Sequence, residues 1–349
     1  MAEVNKDPFL RDMCGQAEAL ADVYTKYRSG EGRALLAEAA EIINKSPNLL
    51  VTGMGASLFA GHAARGVFHE YGFAVAVEDT SLLLDNQVHV LSPETTLLIV
   101  SQSGESAEAI RLLDSVAASV RTIALTNNQD STVGRGCHLV LPLGVIGDHS
   151  VAIKTYTASI LALILVAAHL GQAGTGRFYK LIESTINRFD QALERSSALL
   201  HRILPLIEKS HSVYLMGRGG SYGSALEGAL LFKEGAKRSA EGFSAGQFRH
   251  GSVEVIEPGV LCFVFNPKGK FAELNTRFIA ELRTYGADVV AIGEPFAGDG
   301  LVLPVPFLHE YLAPLLEIIP IQALVRESAL RSGIEPGSFR NTKPVITSE

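Results

Sequence analysis

The sequence contains no tryptophan, only three cysteines and no run of basic residues. Cys14, Cys137 and Cys262 are scattered and odd in number, which fits neither a disulfide framework nor a spaced zinc site. The formal net charge is −7, and this acidity without a basic patch argues against nucleic acid as a partner. We therefore expect a reducing, cytoplasmic environment, no bound metal and no nucleic-acid partner.

Long hydrophobic runs are also absent. Residues 1–7 have neither the cationic nor the apolar part of a signal peptide. The longest apolar run, residues 159–168, is too short to span a bilayer, so we interpret it as a buried helix and expect no membrane partner. The 349 residues, of which 47% are hydrophobic, allow two domains of ordinary size with a large core.

Strand and helix patterns alternate along most of the chain. Short β-prone runs predict eight strands, at residues 49–52, 73–77, 97–100, 122–126, 138–141, 212–216, 261–265 and 289–292. Helical patterns predict helices at residues 151–170, 176–204, 271–285 and 308–330. This alternation predicts an α/β fold with parallel sheets that are covered by helices on both faces.

The two halves of the sequence resemble each other, which fits duplication of a whole domain. We assign residues 1–44 to an N-terminal helical segment, 45–172 to a first domain, 173–332 to a second domain and 333–349 to an irregular tail. Five positions of the first half recur without gaps in the second: Gly53, Gly55, Ser57, Phe68 and Glu70 align with Gly217, Gly219, Ser221, Phe232 and Glu234.

Residues 101–106, with the sequence SQSGES, lie between a predicted buried strand and a predicted helix. Backbone N–H groups at the start of a helix and serine hydroxyls can both donate to a phosphate. Ordinary helix capping by serine is the competing interpretation. Because three serines occur within six residues, we favour an anion site that contains Ser101, Ser103 and Ser106.

Glu234 and His250 are the candidate acid–base residues. Glu234 lies near the end of a predicted helix, and His250 lies in the segment GQFRHG, residues 246–251. A carboxylate and an imidazole are suited to proton transfer on a sugar phosphate, although each alone is more often structural. His62, His69 and His149 have no such companion in the sequence, and we interpret them as structural.

The glycine turns suggest a dinucleotide site only weakly. Neither Gly53-Met-Gly55 nor Gly217-Arg-Gly219 extends to the pattern Gly-x-Gly-x-x-Gly. We therefore expect no cofactor.

Four motifs together resemble the sugar isomerase (SIS) domain family, most closely its glucosamine-6-phosphate synthases and deaminases. They are SQSGES at residues 101–106, ALEGA at 225–229, Lys233-Glu234, and GQFRHG at 246–251. Their order and spacing match the family from about Leu49 to the end of the chain. The resemblance implies two tandem flavodoxin-like SIS domains and a homodimer.

The resemblance also implies roles for individual residues. Glu234 matches the base that moves a proton between C1 and C2, and His250 matches a ring-opening histidine that reaches the active site of the neighbouring subunit. Lys343 matches a C-terminal lysine that folds over the sugar. The phosphate and sugar binders of the family match Ser57, Ser101, Gln102, Ser103 and Ser106.

Three departures from the family pattern concern the substrate. Leu231 stands where the synthases have a lysine, and residues 151–157 are one residue shorter than the family's Val-Ala-Ser-Thr-Lys segment, so its serine ligand is in doubt. The tail after Lys343 is slightly longer than in the family. The sequence also shows no glutaminase domain, so we expect free ammonia to be used or released.

Three functions therefore remain open. The first is an isomerase or deaminase that acts on an amino-sugar 6-phosphate. The second is a deglycase that cleaves a phosphorylated sugar–amine adduct of the fructosamine type. The third is a sugar-phosphate-sensing regulator, which the presence of both Glu234 and His250 and the absence of a basic N-terminal segment disfavour.

Overall fold

The computed structural model describes residues 7–171, 176–294, 300–341 and 346–347. The chain divides into two compact units. The first unit contains Glu18–Asp148, Ala152–Lys180 and Phe339–Glu349. The second unit contains Met1–Ala17, His149–Val151 and Leu181–Ser338.

The first unit contains a parallel sheet of five strands in the order β2-β1-β3-β4-β5. Strand β3 is buried along its whole length, as its apolar sequence predicts. The strands are β1 (Asn48–Gly53), β2 (Val75–Asp79), β3 (Thr95–Val100), β4 (Arg121–Thr126) and β5 (Leu139–Pro142).

The second unit repeats this architecture with a second parallel sheet. Its order, β10-β9-β8-β6-β7, is the order of the first sheet written from the opposite edge. The strands are β6 (Ser212–Gly217), β7 (Glu241–Ser244), β8 (Val260–Asn266), β9 (Asp288–Gly293) and β10 (Leu301–Pro304). The predicted α/β fold with two sheet-containing halves is thereby confirmed.

Fifteen α-helical segments flank the strands in the described parts of the chain. They are α1 (Pro8–Cys14), α2 (Gln16–Arg28), α3 (Gly30–Asn44), α4 (Ala56–Glu70), α5 (Thr80–Leu82), α6 (Ala107–Ser115), α7 (Thr132–Gly136), α8 (Lys154–Leu170), α9 (Gly176–Ile186), α10 (Phe189–Lys209), α11 (Ser221–Ala236), α12 (Ala245–Phe248), α13 (Ala272–Thr284), α14 (Pro314–Glu317) and α15 (Ile319–Arg331). In the described residues, no helix is both long and apolar enough to cross a membrane.

Helix α8 contains the longest apolar run and is buried almost throughout, so the prediction of a buried helix is confirmed. Two other helix predictions were wrong in extent. The helix predicted for residues 176–204 is interrupted between α9 and α10 at Asn187 and Arg188. The helix predicted from residue 308 begins only at Pro314, a residue that favours the first turn of a helix, and a second helix follows from Ile319.

The glycine turns confirm the internal repeat at the level of backbone geometry. Gly55 and Gly219 both have positive φ angles, 51° and 59°, which a side chain would strain. A Cβ atom on Gly53 would lie 3.0 Å from the Leu58 nitrogen, and one on Gly217 would lie 2.0 Å from the Ser221 carbonyl oxygen. Both turns therefore require glycine where the strand approaches the following helix closely.

A buried carboxyl group, that of Glu317, lies in the second unit at the end of α14. Ser221 Oγ donates to Glu317 Oε2 at 3.0 Å, and Ser224 Oγ donates to Oε1 at 2.7 Å. Burial raises the pKa of Glu317 to about 7, although the two serine hydrogen bonds oppose this shift. Within the described residues, the hydroxyls of Ser221 and Ser224 are the hydrogen-bond donors to this carboxyl.

The free energy of unfolding of wild type is expected to fall as the pH rises from about 4.5 to about 7. In Glu317→Gln this decrease should be absent. In this window the folded chain binds more protons at Glu317 than the unfolded chain, so rising pH favours unfolding. The shift corresponds to at most roughly 3 kcal/mol above pH 7. The glutamine amide cannot ionise and can still bond both serines.

Urea unfolding of both proteins between pH 4 and pH 8 measures this effect. The two stabilities should be similar at pH 4, and the glutamine variant should gain relative to wild type as the pH rises. Glu254→Gln, at an exposed glutamate, is the matched control. Parallel curves for wild type and Glu317→Gln would contradict the prediction.

Candidate functional site

The candidate phosphate loop lies at the point where the strand order of the first sheet reverses. Strand β1 pairs with β2 on one side and with β3 on the other, so the turns that follow β1 and β3 leave the same edge in neighbouring positions. Ligands of open α/β sheets bind in the crevice at such a switch point. Ser57 follows β1, and residues 101–106 follow β3, so both predicted groups of ligands reach this edge.

The loop of residues 101–106 is held by its own hydrogen bonds. The buried Ser101 hydroxyl accepts from the Gly104 N–H at 3.2 Å and lies 3.3 Å from the Ser106 hydroxyl. Gly104 has a φ of 66°, and a Cβ atom there would lie 1.9 Å from Ser131 Oγ. Glycine is therefore required at this position, and the loop geometry keeps the Ser101 and Ser106 hydroxyls together.

The hydrogen bonds of this loop argue against the competing interpretation, in which its serines serve as ordinary helix caps. Ser106 is the N-cap residue of α6, yet its side chain makes no capping hydrogen bond. Among the residues that the structure describes, Ser103 Oγ accepts from the Glu105 N–H, at 3.1 Å, outside the helix. The side chains of Ser103 and Ser106 therefore do not cap α6, and the Ser103 hydroxyl hydrogen has no acceptor among the described residues, so it is available to an external one.

Ser57 and Gln102 complete the predicted binding set in the first unit. Ser57 lies in the first turn of α4, and its hydroxyl has no hydrogen-bond partner among the residues described. The Gln102 carbonyl accepts from the Asn127 N–H at 3.0 Å, which fixes the backbone of the loop. Its side-chain amide lies next to Gly147, 3.6 Å from where a Cβ atom would be.

The C-terminal tail touches the start of α6. The Ala107 N–H, which follows Ser106 directly, donates to the Ile346 carbonyl at 3.1 Å. Lys343, the predicted lid lysine, lies outside the described residues.

Glu234 and His250 both lie in the second unit, whereas the serine loop of residues 101–106 belongs to the first unit. Glu234 is half-buried near the end of α11, and its carboxylate makes no hydrogen bond to a described residue. Burial raises its pKa, which Lys237 and Lys233 partly offset. His250 is exposed after α12, and only its backbone N–H is bonded within the described chain, to Gln247.

One histidine that the sequence left without a companion has one in the structure. His149 Nδ1 lies 2.7 Å from Asp12 Oδ1, and the His149 N–H donates to Oδ2 at the same distance. Asp12 is fully buried in α1 and also accepts from the N–H of Ser150. Sequence reasoning missed this pair because α1 and the turn at His149 are far apart in the chain, and no local pattern joins them.

The segment of residues 151–157 forms the entry to α8. The Asp148 carboxylate accepts from the N–H groups of Lys154 and Thr155 at 2.8 and 3.1 Å, and from the Thr155 hydroxyl at 2.5 Å. The helix therefore begins at Lys154, three residues after the start predicted from the sequence.

The family model for the SIS domain matches residues 42–170 and 206–294, the two regions that contain the two sheets. The chain belongs to the SIS domain family. This confirms the family that the four sequence motifs predicted.

Curated relatives of this SIS protein include two enzymes named glutamine–fructose-6-phosphate aminotransferase (isomerizing). The enzyme of Pyrococcus horikoshii is 30% identical over 321 residues, which cover 89% of this chain and 54% of that protein. The enzyme of Mycobacterium tuberculosis is 30% identical over 366 residues, which cover 97% of this chain and 58% of that protein. The chain therefore spans about half the length of these relatives.

Three solved structures have the same fold along nearly the whole chain. The C-terminal domain of glucosamine-fructose-6-phosphate aminotransferase from Francisella tularensis superposes with a TM-score of 0.85 at 21% identity, covering 95% of this chain and 98% of that chain. Glucosamine-6-phosphate deaminase from Thermotoga maritima gives 0.78 at 20% identity, with 97% and 99% coverage. Tagatose-6-phosphate ketose/aldose isomerase from Escherichia coli gives 0.76 at 19% identity, with 95% and 96% coverage.

Proposed function

We propose that this SIS protein is a phosphosugar isomerase/deaminase that acts on an amino-sugar 6-phosphate by proton transfer between C1 and C2. The observation that supports it most is the serine loop, whose hydroxyls lie at a ligand-binding switch point without capping the helix that follows. The names of the relatives, which are aminotransferases, a deaminase and a ketose/aldose isomerase, support the reaction class.

In this proposal the first unit binds the phosphate and the sugar. Ser101, Gln102, Ser103 and Ser106 donate to the phosphate or the adjacent hydroxyls, and Ser57 donates from the neighbouring turn. Lys343, on the tail of residues 333–349, closes over the bound sugar. The Ala107–Ile346 hydrogen bond supports this role, because it holds the end of the tail beside the serine loop.

Glu234 and His250 perform the proton transfers. His250 opens the sugar ring by transferring a proton to the ring oxygen. Glu234 then removes the C2 proton of the open-chain amino aldehyde and returns it to C1. In the same isomerisation the C1 oxygen gains a proton and the amine nitrogen loses one, which leaves a hydroxyl at C1 and an imine at C2. Hydrolysis of the imine releases ammonia and a ketose 6-phosphate. The raised pKa of Glu234 suits a base that must also give the proton back.

A panel of 6-phosphosugars and their amine adducts tests the substrate class. Ammonia release and ketose formation are expected with glucosamine 6-phosphate and not with unphosphorylated glucosamine. Turnover confined to fructosamine-type adducts would replace the proposal with the deglycase. Tight binding without any turnover across the panel would replace it with a sensing function.

We also propose a homodimer in which His250 serves the active site of the partner subunit. Mixing inactive Glu234→Gln chains with inactive His250→Ala chains is then expected to restore activity after subunit exchange, because one site of each mixed dimer contains both intact residues. Exchange is verified with two affinity tags. Verified exchange without any recovery would show that both residues act within one subunit.

Ser103→Ala is expected to weaken binding of 6-phosphosugars and to leave the weak binding of the unphosphorylated sugar unchanged. The loss of one hydrogen bond to a charged group corresponds to roughly 1.5–3 kcal/mol, or about 10- to 150-fold in Kd. Calorimetric titration of both ligands measures this difference. Ser115→Ala, at an exposed serine on α6, is the matched control. Equal losses for both ligands would remove Ser103 from the phosphate site.

A further inference from the structure

The pair of Asp12 and His149 fixes one nitrogen of an imidazole and leaves the other open. Asp12 Oδ1 lies 2.7 Å from His149 Nδ1, and Oδ2 accepts from the backbone N–H groups of His149 and Ser150. A carboxylate can only accept, so Nδ1 carries the proton and Nε2 of the neutral ring is an acceptor. Nε2 has no hydrogen-bond partner among the described residues, and the His149 side chain is 34% exposed. The ring is therefore arranged as an oriented base.

This pair lies close to the end of α11, where Glu234 is found. The Gly337 N–H donates to the carbonyl of Gly235 at 3.3 Å, and a Cβ atom on Gly337 would lie 2.8 Å from the Ser150 Cβ. Phe9, one turn before the aspartate of the pair on α1, lies 3.3 and 3.2 Å from where Cβ atoms of the two glycines would be. All of these residues belong to the second unit. The proposed base and the His149 turn are thus joined through one thin glycine contact.

The turn that contains His149 begins among the predicted sugar-binding residues. In the first unit, Gly147 lies beside the Gln102 amide. One residue, Asp148, separates Gly147 from His149 in the chain, and its carboxylate already accepts from the start of α8. Of the side chains in this turn, His149 is therefore the one with an acceptor available to the sugar.

The proposed reaction contains a proton transfer that Glu234 does not perform. Glu234 moves the C2 proton to C1, while the amine nitrogen on C2 loses a proton and the oxygen on C1 gains one. The nitrogen and the oxygen are attached to adjacent carbon atoms. One imidazole nitrogen can therefore take the proton from the first and give it to the second.

We propose that His149, positioned by Asp12, carries the proton from the amine nitrogen at C2 to the oxygen at C1. Nε2 takes a proton from the ammonium group, and the Asp12 carboxylate stabilises the imidazolium that forms. The imidazolium gives this proton to the C1 oxygen while Glu234 removes the C2 proton, and the electrons of the C2–H bond form the C1–C2 double bond of an enolamine. Glu234 then protonates C1, the nitrogen lone pair forms a protonated imine, and both residues regain their starting state. This inference rests on the proposed function.

His149→Ala is expected to lower kcat for ammonia release from glucosamine 6-phosphate by about 10²- to 10⁴-fold with little change in KM. The binding residues of the first unit are unchanged in this variant. Free imidazole should restore part of the rate in proportion to its concentration, because the truncated side chain was partly exposed. His169→Ala, at a half-buried histidine near the end of α8, is the matched control and should respond to neither change.

Asp12→Asn tests the positioning role. The amide oxygen is expected to replace Oδ2, which accepts two backbone N–H groups, so the amide nitrogen replaces Oδ1 and donates to His149 Nδ1. The ring proton then lies on Nε2, which can no longer accept, and kcat should fall although the shape is kept. Heteronuclear NMR of the neutral ring reports the tautomer without any substrate. The proton is expected on Nδ1 in wild type and on Nε2 in Asp12→Asn.

The outcomes separate this inference from the proposed function. A neutral wild-type ring with its proton on Nε2 would overturn the role of His149, whatever the substrate. Wild-type kcat in His149→Ala, or a loss that imidazole does not restore, would also overturn it and leave the proposed function standing. If wild type releases no ammonia from any phosphosugar of the panel, the proposed function fails and the role of His149 fails with it. Should Asp12→Asn not fold, His149→Ala and the tautomer of wild type still decide.

Discussion

Glu234→Gln is expected to abolish exchange of the C2 proton of the substrate in heavy water. Glutamine keeps the shape of the side chain near the end of α11 but cannot accept a proton, so neither the cyclic nor the open-chain sugar should exchange. Loss of one acid–base group typically lowers the rate by about 10²- to 10⁴-fold, and here the proposed base of the central step is removed. Proton NMR of the C2 signal measures the exchange directly.

The pH profile provides an independent check of the same residue. Burial holds the pKa of Glu234 above its ordinary value of 4.5, and only its ionised form can accept the proton. The rate of wild type should therefore fall as the pH decreases through a value above 4.5, and this acid limb should be absent from any residual activity of Glu234→Gln.

Glu70→Gln is the matched control for Glu234→Gln. Glu70 aligns with Glu234 in the internal repeat, ends the corresponding helix α4 and is exposed. This variant should keep the exchange rate and the pH profile of wild type. Exchange at C2 that survives in Glu234→Gln, or is lost equally in Glu70→Gln, would assign the base to another residue.

His250→Ala is expected to lower the rate on a cyclic amino-sugar phosphate by about 10²- to 10⁴-fold and to affect an open-chain analogue far less. An imidazole can transfer a proton near neutral pH, and an already open substrate needs no transfer at its ring oxygen. The exposed position of His250, with no hydrogen bond from its imidazole to a described residue, leaves both nitrogens available for this step.

The comparison of the two substrate forms separates ring opening from the other roles of His250. C2 deuterium exchange is measured for wild type, His250→Ala and His201→Ala, the last at an exposed histidine on α10 as the matched control. Equal defects of His250→Ala on cyclic and open-chain compounds would show that His250 positions the substrate or moves the C2 proton, and is not the ring opener.

All eight strands predicted from the sequence are present, because each is a run of apolar residues that a buried parallel strand requires. The strands β7 and β10 were missed. Strand β7, with the sequence EGFS, is a short edge strand without an apolar run. Strand β10 could have been found, since its sequence LVLP is identical to that of β5, its counterpart in the first sheet.

The serine loop and the glycine turns could be predicted because the residues that define them are neighbours in the chain. Strand, turn and helix signals within about ten residues place SQSGES at the end of a buried strand, whatever the rest of the chain does. Glu234 and His250 were candidates because of their residue types, and the family resemblance then gave each of them a role; both stay candidates until their variants are measured.

The sequence by itself determined the fold class, the internal repeat and the position of the serine loop, since each of these depends on local patterns of residues. Only the tertiary structure decided which serine hydroxyls already form hydrogen bonds within the chain. Ser221 donates to Glu317 while its counterpart Ser57 does not bond within the described chain, and Asp12 pairs with His149. These partners lie far apart in the chain, and it is the packing of helices that brings them to hydrogen-bonding distance.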